Sequence, residues 1–369
     1  MYTITLETNT KCNLKCTYCY LGDKSFKEMP ISISKQAIDI AVHESMKQYD
    51  KTLFVCFLGG EPLLSVDFIR ETIDYVSQKC SANGLKTLFG ITTNGTLYND
   101  DIDKLLSEHK FTIRVSLDGD KATQDLNRVD YHGNGSYNTV VSNLPHFDRI
   151  CSDNNEILRV VQVITTNNAG MLCHNFDHFV DVLNVKYIES GPNNNDIWTN
   201  EHINTLKANL AKTISHYLKQ IENKNGVYWN MYHQHLRHFL FPNKCFYTCM
   251  AGLSSIFVNV SGYIYFCRES DVSLQIGNVE TGLNVPKIRE IAYIRDSMNQ
   301  DCIECPYNQY CSTKGCFAEN YIVNSDIYKP VMISCEITKF FVEYFINNLS
   351  QDDIKRLRNN MKQLGKTGC

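Results

Sequence analysis

The strongest constraint on the fold is a regular alternation of strand-like and helix-like segments through about the first 220 residues of the 369-residue chain. Short runs of β-branched and aromatic residues mark six candidate strands, at residues 2–8, 52–59, 86–93, 111–118, 157–165 and 185–190. Helical apolar periodicity lies near residues 34–49, 65–81, 99–109, 136–149, 172–183 and 201–223. This order predicts βαβ units and a parallel sheet with right-handed crossovers. We therefore predict an α/β fold, a partial (β/α)6 TIM-like barrel with its site at the C-terminal ends of the strands.

Composition narrows the class of protein further. The net charge is −4, so no strongly basic surface indicates a nucleic-acid partner. No apolar run approaches eighteen residues, and the start MYTITLETNT lacks the features of a secretory signal. We therefore expect a cytoplasmic protein with no membrane segment. Sixteen cysteines in such a protein indicate metal or redox chemistry rather than disulfides, and with it an anaerobic or low-oxygen host.

Three cysteines, Cys12, Cys16 and Cys19, follow the first candidate strand in the run KCNLKCTYCY. Thiolates are the usual ligands of iron–sulfur clusters, which normally take four, so three local ligands leave one iron open to a non-protein ligand. The alternatives are a redox pair at Cys16 and Cys19 or a zinc site that lacks one ligand. A redox pair has no use for Cys12, and no histidine or cysteine follows within zinc-site spacing. The pattern favours a cluster with an open iron.

This run resembles the signature of the radical S-adenosylmethionine (SAM) enzymes. The resemblance implies that SAM chelates the open iron of a 4Fe–4S cluster through its amino and carboxylate groups. One electron from a flavodoxin- or ferredoxin-like reductant then cleaves SAM to methionine and a 5′-deoxyadenosyl radical, which abstracts hydrogen from the substrate. The protein positions and shields the cofactor. The aromatic residue before the third cysteine, Tyr18, is expected near the adenine.

The run FLGGEP, at the end of the second candidate strand, resembles the GGE motif of the same family and carries Gly59, Gly60, Glu61 and Pro62. Two glycines let the backbone approach a ligand closely, and Glu61 can accept hydrogen bonds from the SAM ammonium. Taken alone, this run could be a strand-ending turn. Its position one βα unit after the cysteines favours the SAM-binding interpretation.

Three further residues of the predicted SAM site follow the next two candidate strands. Asn94 in TTNGT is expected to face the ribose or the methionine part of SAM, although Asn-Gly alone is merely a turn signal. Ser116 in VSLDG and Arg128 in LNRVD resemble the family segment that holds the SAM carboxylate. A serine hydroxyl can donate one hydrogen bond, and a guanidinium offers a planar fork for a carboxylate. The alternative for Arg128 is a surface salt bridge.

A second group of eight cysteines lies between residues 245 and 335. Its spacing is C-x3-C-x12-G-x4-C and then C-x2-C-x5-C-x4-C, with a last cysteine at Cys335. Eight thiolates suffice for two fully ligated clusters. Two zinc sites are the alternative, which the CxxC at residues 302–305 alone would favour, but no histidine is interleaved. The pattern resembles the SPASM extension of peptide-modifying radical SAM enzymes, in which the last short loop is usually three residues rather than four.

The SPASM resemblance implies two auxiliary 4Fe–4S clusters and therefore three clusters in all. The ligands implied for the first auxiliary cluster are Cys245, Cys249, Cys267 and Cys316. Those implied for the second are Cys302, Cys305, Cys311 and Cys335. We expect a radical SAM barrel at 1–235, a SPASM domain at 236–335, and a C-terminal helix and tail at 336–369. Outside these groups, Cys56 is most simply a core residue, and His235 and His238 are most simply packed on a helix face.

The cysteine layout also resembles that of the anaerobic sulfatase-maturating enzymes, which oxidise a Cys or Ser to formylglycine. Two positions differ from that family. Leu58 stands where a glutamine is usual, and Arg268 stands where the family has an aspartate as proposed base. An arginine cannot act as a base near neutral pH, so Glu269 is the remaining candidate.

We therefore predict a radical SAM peptide maturase that forms a thioether or carbon–carbon crosslink in a ribosomally made peptide. The alternatives are formylglycine formation from Cys or Ser and, in another class, a non-catalytic iron–sulfur electron-transfer protein. The expected partner is a peptide or protein substrate. Because the chain begins directly with the barrel, we expect leader binding at another surface or by a separate leader-recognition protein.

Overall fold

Strands and helices alternate in the predicted order in the computed structural model, which describes residues 1–21, 25–242, 249–267, 272–293, 299–311, 314 and 316–363. The first six strands are β1 Tyr2–Glu7, β2 Thr52–Leu58, β3 Lys86–Thr93, β4 Phe111–Ser116, β5 Arg159–Ile164 and β6 Tyr187–Pro192. The first seven helices are α1 Ile31–Met46, α2 Val66–Ala82, α3 Asp100–Glu108, α4 Lys121–Asn127, α5 Tyr137–Asp153, α6 Leu172–Asp177 and α7 Asn200–Glu222. Helix α6 continues as a π-turn, His178–Val182.

The later part of the chain contains shorter strands. Its strands are β7 Tyr228–Trp229, β8 Ser255–Val258, β9 Tyr263–Tyr265, β10 Gln275–Asn278 and β11 Gly282–Leu283. Its helices are α8 Asn230–Leu240, α9 Val285–Tyr293, α10 Gln300–Ile303, α11 Phe317–Asn324, α12 Met332–Asn348 and α13 Gln351–Gln363. The last helix lies within residues 336–369, the segment assigned to a C-terminal helix and tail. Among the described residues, no helix is both long and apolar enough to cross a bilayer.

The first of two compact units consists of residues 1–162, 174–188 and 251–288. Strands β1 to β5 pair in parallel and in chain order, for example through Ile4 with Val55 and Val55 with Phe89. Along most of these strands fully buried residues alternate with half-buried ones, so both faces are largely covered, as expected of a parallel sheet. The predicted α/β class with a parallel sheet is confirmed.

Strand β8 adds to the other edge of β1 in this unit. It runs parallel to β1, with Ile4 opposite Ile256, and β9, β10 and β11 follow as antiparallel neighbours. Residues 251–288 therefore extend the barrel sheet, although they fall inside the segment assigned to the SPASM domain. Nothing in the local periodicity of such short strands indicates which sheet they join.

The second compact unit consists of residues 163–173, 189–250 and 289–369. Helices α8 and α12 pack through aromatic side chains, with Tyr232 lying 5.5 Å from Phe345 between ring centroids. His235 stacks on Phe341 at 4.4 Å, and its Nδ1 lies 2.8 Å from the carbonyl of Met231. Burial lowers the pKa of His235 to about 4. The neutral, packed histidine agrees with the structural interpretation rather than with substrate contact.

Candidate functional site

Cys12, Cys16 and Cys19 lie in the loop that follows β1, and none of the three forms a disulfide. Cys12 is buried, while the other two are half-buried. The amide of Leu14 points at the Cys12 sulfur at 3.4 Å, and the amide of Cys19 donates to the carbonyl of Cys16 at 3.2 Å. N–H groups directed at a sulfur stabilise its thiolate form. The loop, residues 12–19, is called the first cysteine loop below.

Gly59 and Gly60 lie directly against the backbone that leads into the first cysteine loop. The amide of Gly60 donates to the carbonyl of Asn9 at 2.8 Å, and the amide of Glu61 donates to the carbonyl of Lys11 at 2.6 Å. A Cβ atom on Gly60 would lie 1.9 Å from the Lys11 carbonyl oxygen. One on Gly59, whose φ is +151°, would lie 2.4 Å from the Asn9 carbonyl oxygen. These glycines are required for the contact between two chain segments, whether or not a ligand also approaches them.

The Glu61 carboxylate is fully buried and accepts three hydrogen bonds from the chain. Its donors are the Thr93 hydroxyl at 2.8 Å, the Leu63 amide at 3.0 Å and the Asn94 amide at 2.6 Å. Burial raises the pKa of Glu61 to about 7, against the opposing effect of these donors. The carboxylate thus joins the ends of β2 and β3. Its contact with the SAM ammonium stays a prediction. Pro62 is buried at the start of the short 3₁₀-helix that Glu61 caps.

Asn94 connects the end of β3 to the first cysteine loop. Its side-chain Nδ2 donates to Oδ1 of Asn13 at 2.8 Å and lies 3.8 Å from the Cys12 sulfur. Its Oδ1 accepts from the amide of Thr96 at 2.9 Å and from that residue's hydroxyl. The side chain is therefore held by neighbours on both sides and fixes the orientation of the loop. Asn13 and Thr96 were not singled out from the sequence, although both lie inside motifs that were.

The opposite side of the first cysteine loop pairs with the segment after α4. The amide of Lys15 donates to the carbonyl of Val129 at 2.7 Å, and that of Thr17 to the carbonyl of Asn127 at 2.9 Å. The hydroxyl of Thr17 also donates to Oδ1 of Asn127 at 2.8 Å. No sequence pattern indicated this pairing, because it joins residues more than a hundred positions apart.

Arg128 belongs to a buried network with Asp118 and Tyr18. The Nε atom of Arg128 lies 3.2 Å from Oδ2 of Asp118, and both side chains are less than a tenth exposed. The Tyr18 hydroxyl donates to the same carboxylate oxygen, and its ring lies 5.2 Å from the guanidinium carbon. Burial disfavours the charge on Arg128, but the Asp118 carboxylate outweighs it and raises the guanidinium pKa. The alternative interpretation required a surface salt bridge, whereas the ion pair of Arg128 is buried.

Ser116 is the last residue of β4 and is half-buried. Two residues further on, Asp118 receives a hydrogen bond at its backbone carbonyl from Gln162, at 2.9 Å. The Asp118 amide donates to the side chain of Gln124 at 2.8 Å. Asp118 was missed as a site residue, although it lies in the quoted motif VSLDG. The available indication was that this carboxylate lies in the same predicted SAM-carboxylate segment as the Arg128 guanidinium, which it could pair with.

Four cysteines of the second group, Cys302, Cys305, Cys311 and Cys335, lie close enough in the second unit to interact electrostatically. All four are free and half-buried. Burial, together with the charges of the neighbouring thiols, raises the pKa of Cys302 to about 11 and that of Cys335 to about 12. A set of four mutually repelling thiolates is what a cluster or a metal ion would stabilise. We call these residues the four-thiol group.

The remaining predicted auxiliary ligands are less completely described. Cys245 lies outside the described residues, as do Arg268 and the candidate base Glu269. Cys249 and Cys267 are exposed, and Cys316 precedes the first turn of α11. The assignment of the first auxiliary cluster therefore stays a prediction.

Comparison with known proteins now defines the class. Residues 6–185 match the family model of the radical SAM superfamily, and the chain contains a radical SAM domain. The matched region begins in β1 and ends before β6, so it contains the first cysteine loop and the buried network around Asp118.

Among curated relatives, the chain is 33% identical over 172 residues to a cysteine-type anaerobic sulfatase-maturating enzyme of Clostridium novyi. That alignment covers 44% of each protein, so it spans less than half the length of this relative. A longer alignment, at 25% identity over 325 residues, covers 87% of this chain and 96% of an uncharacterized protein of Methanocaldococcus jannaschii.

Solved structures show the same fold over nearly the whole chain. The anaerobic sulfatase-maturating enzyme anSMEcpe, with bound AdoMet and the Cp18Cys peptide, superimposes with a TM-score of 0.77 at 21% identity. That match covers 97% of this chain and 99% of the other. SuiB of Streptococcus suis, bound to its precursor peptide SuiA, has a TM-score of 0.56 at 16% identity, covering 90% and 75%. The cysteine-rich C-terminal region is consistent with a SPASM domain.

Proposed function

We propose that this chain is a radical SAM peptide maturase that closes a thioether or carbon–carbon crosslink in a ribosomally made peptide. The observation that carries the proposal is the pairing of two kinds of thiol group in one chain. Three cysteines outside any disulfide lie in a loop held by polar contacts on both sides, and four more form a separate group. The first set leaves a cluster iron open for SAM, and the second suffices to close a cluster.

In this proposal Cys12, Cys16 and Cys19 hold the SAM-binding 4Fe–4S cluster. The donor set fits such a cluster, because it consists of three thiols in one loop with an amide aimed at the most buried sulfur. SAM, when bound and reduced there, supplies the radical that removes a hydrogen atom from the peptide. Glu61 and Asn94 keep the loop in place, and Glu61 also accepts from the SAM ammonium.

The SAM carboxylate is assigned to Ser116 and Arg128, with Tyr18 on the adenine side. Asp118 occupies the Nε side of the guanidinium, which has five N–H donors in a planar fork. The Asp118 charge also offsets the cost of burying Arg128. A guanidinium held in one orientation loses less freedom when it binds a carboxylate, and this lowers the cost of binding SAM.

Crosslink formation removes two hydrogens from the peptide. One leaves as a hydrogen atom to the SAM-derived radical, and the other as a proton and an electron. The two sets of four cysteines named above would hold the auxiliary clusters, which would supply an acceptor for this electron, while the proton would pass to solvent. A flavodoxin- or ferredoxin-like partner would take the electron onward or recycle it. In this proposal the SAM-binding barrel is residues 1–235 and the auxiliary-cluster segment is residues 236–335. The C-terminal helical segment is residues 336–369.

Formylglycine formation is the second candidate, and the identity to the Clostridium novyi sulfatase-maturating enzyme favours it. It requires a base near the oxidised residue. Glu269 is the candidate in this chain, where Arg268 replaces the usual aspartate.

An assay with two peptides separates these reactions. Anaerobically reconstituted full-length protein is given SAM, a reductant and either a sulfatase-motif peptide or a short Cys-containing peptide encoded beside its gene. We expect the second peptide to lose two hydrogens by mass spectrometry. Conversion of the sulfatase peptide alone, by loss of two hydrogens and sulfur and gain of oxygen, would replace the crosslinking proposal.

Two further measurements address the non-catalytic alternative and the cluster count. An electron-transfer protein would form no 5′-deoxyadenosine when it is reduced in the presence of SAM. A maturase forms this product in both crosslinking and formylglycine formation. Three 4Fe–4S clusters require about twelve irons per chain. A high zinc content would instead contradict the auxiliary-cluster assignment.

A further inference from the structure

Lys314 is a fully buried lysine in the second unit, with 1% of its surface exposed. Lysine is rarely buried to this extent, because its ammonium loses strong hydration. Its Nζ donates to the backbone carbonyl of Asn308 at 2.8 Å and to the side-chain Oδ1 of the same residue. Its own carbonyl accepts from the Asn320 side chain at 3.2 Å. The ammonium is therefore held in one place.

Asn308 connects this lysine to the four-thiol group. Its Nδ2 donates to the carbonyl of Cys302 at 2.5 Å, and its amide donates to the carbonyl of Cys305 at 3.0 Å. Its carbonyl also accepts from the amide of Cys311, at 3.2 Å. One asparagine thus fixes three of the four cysteines and the Lys314 ammonium in a single turn-rich loop.

The positive charge acts on the thiols. The Lys314 ammonium interacts electrostatically with Cys302, because Asn308 binds both the ammonium and the Cys302 carbonyl. Lys339 interacts in the same way with Cys335. Lys339 differs from Lys314, because its side chain is 40% exposed and its Nζ lies 2.8 Å from the Glu336 carboxylate. Solvent and Glu336 offset the charge of Lys339, whereas Lys314 lies in the interior, where charges interact more strongly.

We propose that the buried Lys314 ammonium raises the reduction potential of the cluster held by Cys302, Cys305, Cys311 and Cys335, so that it accepts the electron left by peptide oxidation. The inference rests on the proposed function. Reduction of the cluster adds one electron and one negative charge, and a fixed positive charge nearby stabilises the reduced state. The electron comes from the peptide, which also releases a proton, so the charges balance. Lys314 is a positioning and tuning residue and touches no reacting atom.

The test is an anaerobic redox titration followed by electron paramagnetic resonance. It uses full-length protein in which Cys12, Cys16 and Cys19 are replaced by Ala, so that only auxiliary clusters contribute. In this background Lys314→Met removes the charge with little change in length. We expect one of two auxiliary transitions to lose at least tenfold in its equilibrium constant for reduction, about 59 mV for one electron. The other transition should move less, although Cys316, a ligand assigned to the other cluster, lies two residues from Lys314.

Lys314→Arg and Lys339→Met are the matched controls, since one retains the charge and the other removes a solvent-screened charge. We expect both to shift that transition by less than half as much as Lys314→Met. Equal shifts in Lys314→Met and Lys314→Arg, no shift in either, or loss of the auxiliary iron from both would overturn the proposal. The measurement needs no peptide and no turnover. If the triple-Ala background holds about eight irons and Lys314→Met leaves both potentials unshifted, the Lys314 inference alone is refuted. If the background holds no auxiliary iron, the cluster assignment in the proposed function is refuted.

Discussion

The two thiol groups of this chain are held in place by different kinds of contact. The first cysteine loop is fixed mainly from outside. Residues 60 and 61 pair through the backbone with Asn9 and Lys11, which lead into the loop, and residues 127 and 129 pair with Thr17 and Lys15 inside it. The four-thiol group is fixed mainly from within, because Asn308 contacts three of its members through their backbones. Among the residues that the structure describes in these two groups, only the second has a fully buried lysine hydrogen-bonded inside its own loop.

This difference matches the two kinds of chemistry we propose. A loop that must leave one iron open to a cofactor benefits from support on its outer sides, which leaves the space in front of the sulfurs free. A cluster that only accepts and passes an electron needs four ligands and a suitable potential. A buried charge and a compact loop supply these. The two regions should therefore respond differently to substitution.

The largest effect is expected from loss of a ligand in the first cysteine loop. Cys16→Ala should lower 5′-deoxyadenosine formation by roughly a thousandfold or more, because SAM cleavage then has no intact cluster. The product is quantified by chromatography. Cys56→Ala is the control, since this thiol lies in β2 and should not alter the yield. Retention of SAM cleavage in Cys16→Ala would remove the first loop from the proposed site.

Loss of a ligand in the four-thiol group should separate SAM cleavage from product formation. Cys335→Ala is expected to lose about four irons per chain. Peptide product per 5′-deoxyadenosine should fall about tenfold or more, since the electron has no acceptor. Iron analysis and mass spectrometry of the peptide measure the two effects. Proportional loss of both products would show that the two groups do not act separately.

The external support of the first loop can be tested at one glycine. Gly60→Ala should lower the free energy of unfolding by about 3 kcal/mol or more, because its Cβ would collide with the Lys11 carbonyl. Gly191→Ala is the matched control, since no atom of the described residues lies within 4 Å of its added Cβ, and it should change stability by less than about 0.5 kcal/mol. Chemical denaturation of the metal-free proteins provides the comparison. Equal stability of the two variants would contradict the close backbone approach.

The smallest effect concerns the Glu61 carboxylate that joins β2 and β3. Its pKa rises from 4.5 in the unfolded chain to about 7 in the folded protein, chiefly through burial. Between these pH values the folded protein binds more protons at Glu61, so its contribution to the free energy of unfolding decreases as pH rises. The stability of the wild type minus that of Glu61→Gln should fall by about 1–3 kcal/mol from pH 4.5 to pH 7. A difference that is constant with pH would indicate an ordinary pKa for Glu61.

Much of the first region could be predicted from the chain. The carboxyl ends of β1, β2 and β3 meet at one edge of a parallel sheet, so motifs that follow these strands must lie close together. Cys12, Glu61 and Asn94 are brought together for this reason, through contacts of Asn94 with the other two. The pairing of residues 127–129 with the first loop was not predictable, because it depends on where α4 ends rather than on any local pattern.

Individual partners were harder to predict than segments. The sequence left Arg128 as either a ligand of SAM or a member of a surface salt bridge. In the structure it belongs to a buried network, because Asp118 pairs with both Arg128 and Tyr18. Asp118 and Arg128 are near each other in the chain, but Tyr18 lies a hundred residues before Asp118, so the complete network depends on tertiary packing. Similarly, β8 to β11 join the barrel sheet through pairing with β1, although their own sequence indicates only short strands.

The sequence by itself determined the strand–helix order, the α/β class and the spacing of the cysteines, because periodicity and ligand spacing are local properties of the chain. Only the tertiary structure decided that the Lys11 carbonyl leaves no room for a Cβ atom at Gly60, that Asp118 pairs with Arg128, and that Lys314 is buried near four thiols. These features depend on burial and on contacts between distant residues, and both arise only when the strands and helices pack.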